Sequence, residues 1–230
     1  MKKVVTLILV FLLVLGAAQT AFADNTVGFM AGYTGEFNEY LGHYSRSSEG
    51  FKIDLSLRYY VANKFSLSSK ADMSFLKATS STGTMWQYTY LNFDFFGRYD
   101  LMKSDSFNFS LQTGLMDSLA IHKGIEPYNF FMLAVGLYTD VILWQKVKFY
   151  ANLKIPFAVF SSSLLKSNSG FFKVFLYDVS FGAVYSITPN ISVGIENNLS
   201  SREEYGIRDA GAELSRYLHF TVGAKLFYSF

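Results

Sequence analysis

The sequence predicts an all-β fold: a closed, transmembrane, antiparallel up-and-down β-barrel, with ten strands favoured and eight possible. Three observations carry that prediction. Apolar and polar residues alternate with period two along most of the chain, and no sustained helical period appears. Aromatic residues make up 18% of the chain, 24 of them Phe and 16 Tyr, which suits an outer surface that meets lipid between two interfacial girdles. Cys is absent and Pro occurs only three times, so order has to come from long, uninterrupted ladders instead of cross-links.

The elements follow in order. Segment 26–33 is the weakest, with Val27, Phe29, Ala31 and Tyr33 against Gly28, Met30 and Gly32; an eight-stranded reading drops it and fuses another pair. In 50–61, Phe51, Ile53, Leu55, Leu57 and Tyr59 oppose Lys52, Asp54, Ser56 and Arg58. In 65–76, Phe65, Leu67, Met73 and Phe75 oppose Lys70 and Asp72. Segment 88–101 sets Leu91, Phe93, Phe95 and Tyr99 against Asn92, Asp94, Arg98 and Asp100, and 106–118 sets Phe107, Phe109, Leu111 and Leu115 against Asn108, Ser110 and Gln112. Segments 131–143, 149–159, 175–187 and 191–199 continue the pattern, and 217–230 closes it. Pro156 falls on the inward parity of its strand and marks either a bulge or the point where that strand leaves the membrane.

Connection lengths alternate too. Short turns lie at 61–64, 103–106, 144–147 and 188–190; long polar loops are expected at 34–49, 77–87, 119–129, 160–171 and 200–216. The apolar face of each strand is nearly free of charge, over about the 9–11 residues needed to cross a bilayer. A charge there costs about 2–4 kcal/mol near the midplane. Slipping 65–76 by one residue would expose both Lys70 and Asp72 to lipid, so register is strongly determined.

The two ends extend the reading. Lys2-Lys3, an apolar run from Val4 to Gly16 and Ala21-Phe22-Ala23 have the form of a cleaved signal peptide, 1–23, leaving 24–230 as a single barrel domain. Removing those 23 residues, Lys2 and Lys3 among them, leaves 18 basic and 18 acidic side chains, and this balance speaks against nucleic-acid binding. At the other end Thr221, Gly223, Leu226, Tyr228 and Phe230 fit a polar-x-Gly-x-x-apolar-x-aromatic pattern that closes on a terminal aromatic. That ending resembles the assembly signal of bacterial outer-membrane β-barrels. The chain as a whole resembles the small porin-like and adhesin-type barrels of diderm bacteria. The resemblance implies an outer-membrane location, with lipid, periplasmic chaperones and the barrel-assembly machinery as partners. It also implies short turns in the periplasm and long loops outside.

The inward parity collects Asp54, Arg58, Lys70, Asp72, Asp94, Arg98, Asp100, Asp140, Lys154, Asp178, Glu196, His219 and Lys225. Both signs sit on neighbouring strands. This suits a lumen filled by paired charges better than an ion-selective pore, since barrels near eight strands are filled and aqueous channels appear near sixteen. His219, Thr221 and Glu196 are the one candidate nucleophile–base–carboxylate set. Outer-membrane lipid A deacylases carry His-x-Ser with a Glu, but Thr221 stands where they have Ser, and polar residues satisfying one another in the lumen is the better reading. Outer-membrane aspartyl-type proteases pair acids near the rim opposite a His–Asp couple; Glu203, Glu204 and Asp209 show no such spacing. His43 and His122 are scattered, so neither a metal site nor a cofactor is expected. The N-x-S triplets at Asn108, Asn190 and Asn198 are chance matches.

Function is therefore expected to be non-enzymatic. The favoured reading is a barrel with a largely filled lumen and loops 34–49 and 200–216 contacting an external ligand. The alternatives are a narrow channel for small solutes and a lipid A-modifying enzyme.

Overall fold

The computed structural model describes residues 25–40, 44–79, 85–122, 128–143, 146–161, 172–208 and 211–230. Ten strands are present: β1 (Thr26–Tyr40), β2 (Tyr44–Ala62), β3 (Phe65–Thr79), β4 (Met85–Lys103), β5 (Phe107–His122), β6 (Tyr128–Leu143), β7 (Val147–Ser161), β8 (Phe172–Ser186), β9 (Ile191–Arg208) and β10 (Gly211–Ser229). Each pairs antiparallel with its sequence neighbours, and β1 pairs with β10, so the sheet closes and no strand is left at an edge. The closing ladder runs from Thr26↔Ser229 to Tyr40↔Ser215.

Alternation turns the apolar set outward. Phe29, Phe51, Phe75, Phe95, Leu115, Val135, Phe149, Phe181, Ile195 and Leu226 are all exposed. Asp117 is an outward carboxylate, flanked by Phe93 and Phe131 on the neighbouring strands and hydrogen-bonded to Asn129.

The first strand is a full member of the barrel, and the reason its alternation is weak is steric. Gly32 lies opposite Gly223, and a Cβ there would stand 2.3 Å from the Val222 carbonyl oxygen. Gly35 lies under the Phe220 ring, where a Cβ would come within 2.5 Å of a ring carbon. Close backbone approach takes glycine at inward Gly32, where a polar residue would have marked the strand, and at outward Gly35, where an apolar one would have.

The long loops are where the structure departs from expectation. Most of 34–49 and 200–216 is strand: β1 reaches Tyr40, β2 starts at Tyr44, β9 reaches Arg208 and β10 starts at Gly211. Strands of 15–19 residues at about 3.3 Å per residue and a tilt near 40° rise roughly 38–48 Å, well beyond a 30 Å hydrocarbon core. Past the lipid the outward residues become polar and the alternation fades, but backbone pairing needs no apolar face and continues into water. Of the predicted long loops, 160–171 falls mostly outside the described residues, as do the signal-peptide segment 1–23, His43 and Asp209.

Four ladders shift register. Two shifts lie at the short-turn end, between Tyr60 and Ala62 and between Asp100 and Met102. A third lies in β8, between Phe175 and Tyr177. The fourth sets Leu133 against Ala158 and Ala134 against Pro156, a bulge at the proline. The β7–β8 ladder is also the shortest, with eight pairs from Val147↔Tyr185 to Lys154↔Asp178. It ends two residues before Pro156, which has no N–H to donate.

Candidate functional site

The inward faces hold two kinds of filling. On β4 to β6, Phe96, Met116, Phe130, Met132 and Ala134 form one apolar cluster, and Leu76, Tyr90 and Ala120 form another with Tyr88. Phe96 shares the parity of Asp94 and Arg98, so β4 adds charges beside this apolar wall. The other inward charges lie on β1 to β3 and β6 to β10.

Those charges meet in a layer across the barrel. Lys70 reaches Asp54 at 3.3 Å and Glu196 at 3.2 Å. Lys225 and the Tyr150 hydroxyl (2.5 Å) also converge on Glu196. Lys52 pairs with Asp72 at 3.3 Å, and Lys154 pairs with Asp94. Asn92 donates to Asp72 at 2.7 Å, and Asn198 donates to Asp178 at 3.1 Å. Asp54 and Asp72 stand directly opposite on β2 and β3, an unfavourable like-charge pair. The diagonal lysines, Lys52 and Lys70, neutralise it. Four lysines are thus paired with four carboxylates, and Asp178, held by Asn198, is a fifth acid beside them. Pairing matters because an unmatched charge in the interior costs several kcal/mol.

This layer divides the lumen. On the short-turn side lies a cavity of about 570 Å³, bordered at its mouth by Asp105, Pro189 and Ser229. On the other side is a space of about 70 Å³. Lys70, Asp94 and Lys154 border both, so the ion pairs form the septum between them.

Below the septum, Arg58 and Arg98 approach one ring, that of Tyr138, at 5.1 and 4.2 Å. Arg58 is matched by Asp100 at 3.7 Å, and Asp100 also accepts from Tyr60 (3.4 Å) and Ser110 (2.7 Å). Asp140 lies close to Tyr138. Above the septum, His219 pairs with Glu36 of β1, and its ring meets Tyr90 edge-on at 5.4 Å. Thr34 and Thr221 share a hydrogen bond of 3.0 Å between their hydroxyls.

The structure therefore places Asp54, Lys70, Asp72, Asp94, Lys154, Asp178, Glu196 and Lys225 in or beside the septum. Arg58, Arg98, Asp100 and Asp140 lie below it, and His219 above. His219, Thr221 and Glu196 do not come together. Glu196 lies opposite Gly223, four residues along β10 from His219, and each of the three is engaged elsewhere. Of the terminal pattern, Thr221 and Gly223 face inward, Leu226 and Tyr228 face outward, and Phe230 stacks on Tyr228 at 6.3 Å just past β10.

Sequence reasoning passed over Glu36, Lys52, Gln112, Tyr138 and Tyr150. Lys52, Gln112, Tyr138 and Tyr150 already stood on inward parity among the charged residues; Glu36 was hidden because its segment read as a loop.

No protein-family model matches the sequence, and no curated protein does. Among solved structures the chain is similar to the outer membrane protease OmpT from Escherichia coli, at 15% identity and a TM-score of 0.56 over 93% of this chain and 100% of that one. It also matches Neisserial surface protein A (14% identity, TM-score 0.35, 89% and 97% covered) and an outer membrane channel from Pseudomonas putida F1 (12%, 0.44, 94% and 98%). Likeness at this identity speaks to fold and not to chemistry. The chain has the closed, ten-stranded antiparallel fold of the small outer-membrane β-barrels.

Proposed function

We propose that this protein is a non-enzymatic barrel of the bacterial outer membrane whose lumen is shut by side chains and whose extended hairpins serve surface interaction. The observation that carries the closed lumen is the septum: four lysines and four carboxylates spanning the interior between two separate cavities. The β9–β10 and β1–β2 hairpins are contiguous in the sheet and carry charged and aromatic residues beyond the membrane, among them Arg202, Tyr205, Arg208 and Arg216. Such mixed surfaces suit protein or ligand contact. In this reading residues 1–23 are removed on export, and the ending at Tyr228 and Phe230 is what the assembly machinery reads.

Planar-bilayer recording of the refolded protein tests the closed lumen. The expected trace is a quiet membrane. Steady unitary currents that change when Lys154 is replaced by Gln would establish a narrow channel instead. Unaltered lipid A in cells overexpressing the chain is the expected result for a non-enzyme, and a modified lipid A would overturn it.

A further inference from the structure

We infer that the cavity on the short-turn side is a binding vestibule for a small periplasmic oxyanion, a molecule bearing a carboxylate or phosphate, which is received by Arg98 with Arg58 beside it. The site goes beyond the closed-barrel reading and does not depend on whether the septum conducts.

The first observation is charge. Seven basic side chains and four acidic ones line the vestibule. Much of this is internally matched: Lys154 takes Asp94, and Lys70 and Lys225 take Glu196. Arg98 is not matched in this way. Its guanidinium has no carboxylate within 4.0 Å among the described residues; its contacts are Gln112 and the Tyr138 ring.

The second observation is preorganisation. Arg98 Nε donates to Gln112 Oε1 at 3.0 Å. Gln112 is in turn fixed through its Nε2, which donates to Asn152 Oδ1 at 2.5 Å and to the Leu153 carbonyl at 3.3 Å. Tyr138 supports the guanidinium plane from one side at 4.2 Å. The fork is therefore held in place by Nε and by its face, which leaves its two terminal nitrogens for bidentate recognition of an oxyanion.

The third is the partner cation. Arg58 lies against the same ring at 5.1 Å, and its carboxylate partner, Asp100, is shared with Tyr60 and Ser110. Two guanidinium groups on one ring repel each other, and an anion between them removes that repulsion as well as making new bonds. Asp140, close to Tyr138, and Asp100, paired with Arg58, limit the site to one anionic group at this depth. At about 570 Å³ the cavity exceeds what inorganic phosphate fills, so the natural ligand carries a further body toward the mouth.

The test is isothermal titration of the refolded full-length barrel in detergent, at fixed ionic strength, with inorganic phosphate in one arm and succinate in the other. Chloride at the same ionic strength is the blank. Saturable one-site binding of either probe is expected, weakened at least tenfold in Arg98→Gln and unchanged in Lys64→Gln, a change at an exposed turn. Which arm binds tells a phosphate ligand from a carboxylate one. Heat signals indistinguishable from chloride in both arms, or equal binding by Arg98→Gln and the parent chain, would overturn the inference. Should Arg98→Gln fail to fold, the parent protein still decides: the better probe should protect Arg98 from an arginine-selective dicarbonyl, read by peptide mass spectrometry, and lack of protection refutes the site.

Discussion

Replacing Glu196 by Gln removes the charge on which Lys70, Lys225 and the Tyr150 hydroxyl converge. The substitution keeps the shape, so what is lost is electrostatic. A unit pair 3.2 Å apart, as for Lys70 and Glu196, interacts by about 5 kcal/mol at an effective dielectric near 20. Lys70 retains Asp54 at 3.3 Å, so most of the damage falls on Lys225, which loses the acid it pairs with. Breaking a buried pair from one side costs about 3–5 kcal/mol, and the open vestibule beneath Glu196 admits water, which favours the lower end, about 3 kcal/mol. Equilibrium urea unfolding of the refolded barrel, followed by Trp86 and Trp144 fluorescence, reads this out. With slopes of about 1–3 kcal/mol per molar in urea, the midpoint should fall by about 1 M or more. Adding Lys225→Met removes the stranded cation and should restore most of the loss, since a buried pair replaced whole is often neutral. A fall below about 0.3 M for E196Q, or a double variant no more stable than the single one, would refute the reasoning that this layer is an ion-paired unit.

Other outcomes follow from the same geometry. Leu115→Arg places a charge on an exposed lipid-facing position of β5 and should cost about 2–4 kcal/mol, seen as a lower urea midpoint in lipid vesicles but a smaller loss in charged detergent. Gly32→Val would drive a branched side chain into the Val222 carbonyl across the closing ladder, so the fraction of protein migrating as the compact form on an unboiled gel should drop sharply. If G32V migrates like the parent, the β1–β10 closure is not as tight as described.

The predicted ten strands and the inward set of charges were legible because period two is a local property. Each strand shows its two faces without knowing its neighbours, and the cost of a charge in lipid keeps the outward face clean over a membrane's depth. Phe96 shows the limit: it stands on charged parity, and only the packing of β4 to β6 explains it as part of an apolar wall. Glu36 shows another, since alternation fades outside the membrane while the backbone ladder continues. What the chain could not reveal alone is partnership. Lys70 and Glu196 are far apart in sequence, and they meet because the sheet closes and its curvature brings β3 and β9 to face each other across the lumen. The sequence by itself determined the architecture and which side chains point inward. Closure and register decided the rest: that His219 takes Glu36 and not Glu196, that four lysines find four acids, and that Arg98 is held below them by Gln112 and the Tyr138 ring with no carboxylate in contact among the described residues.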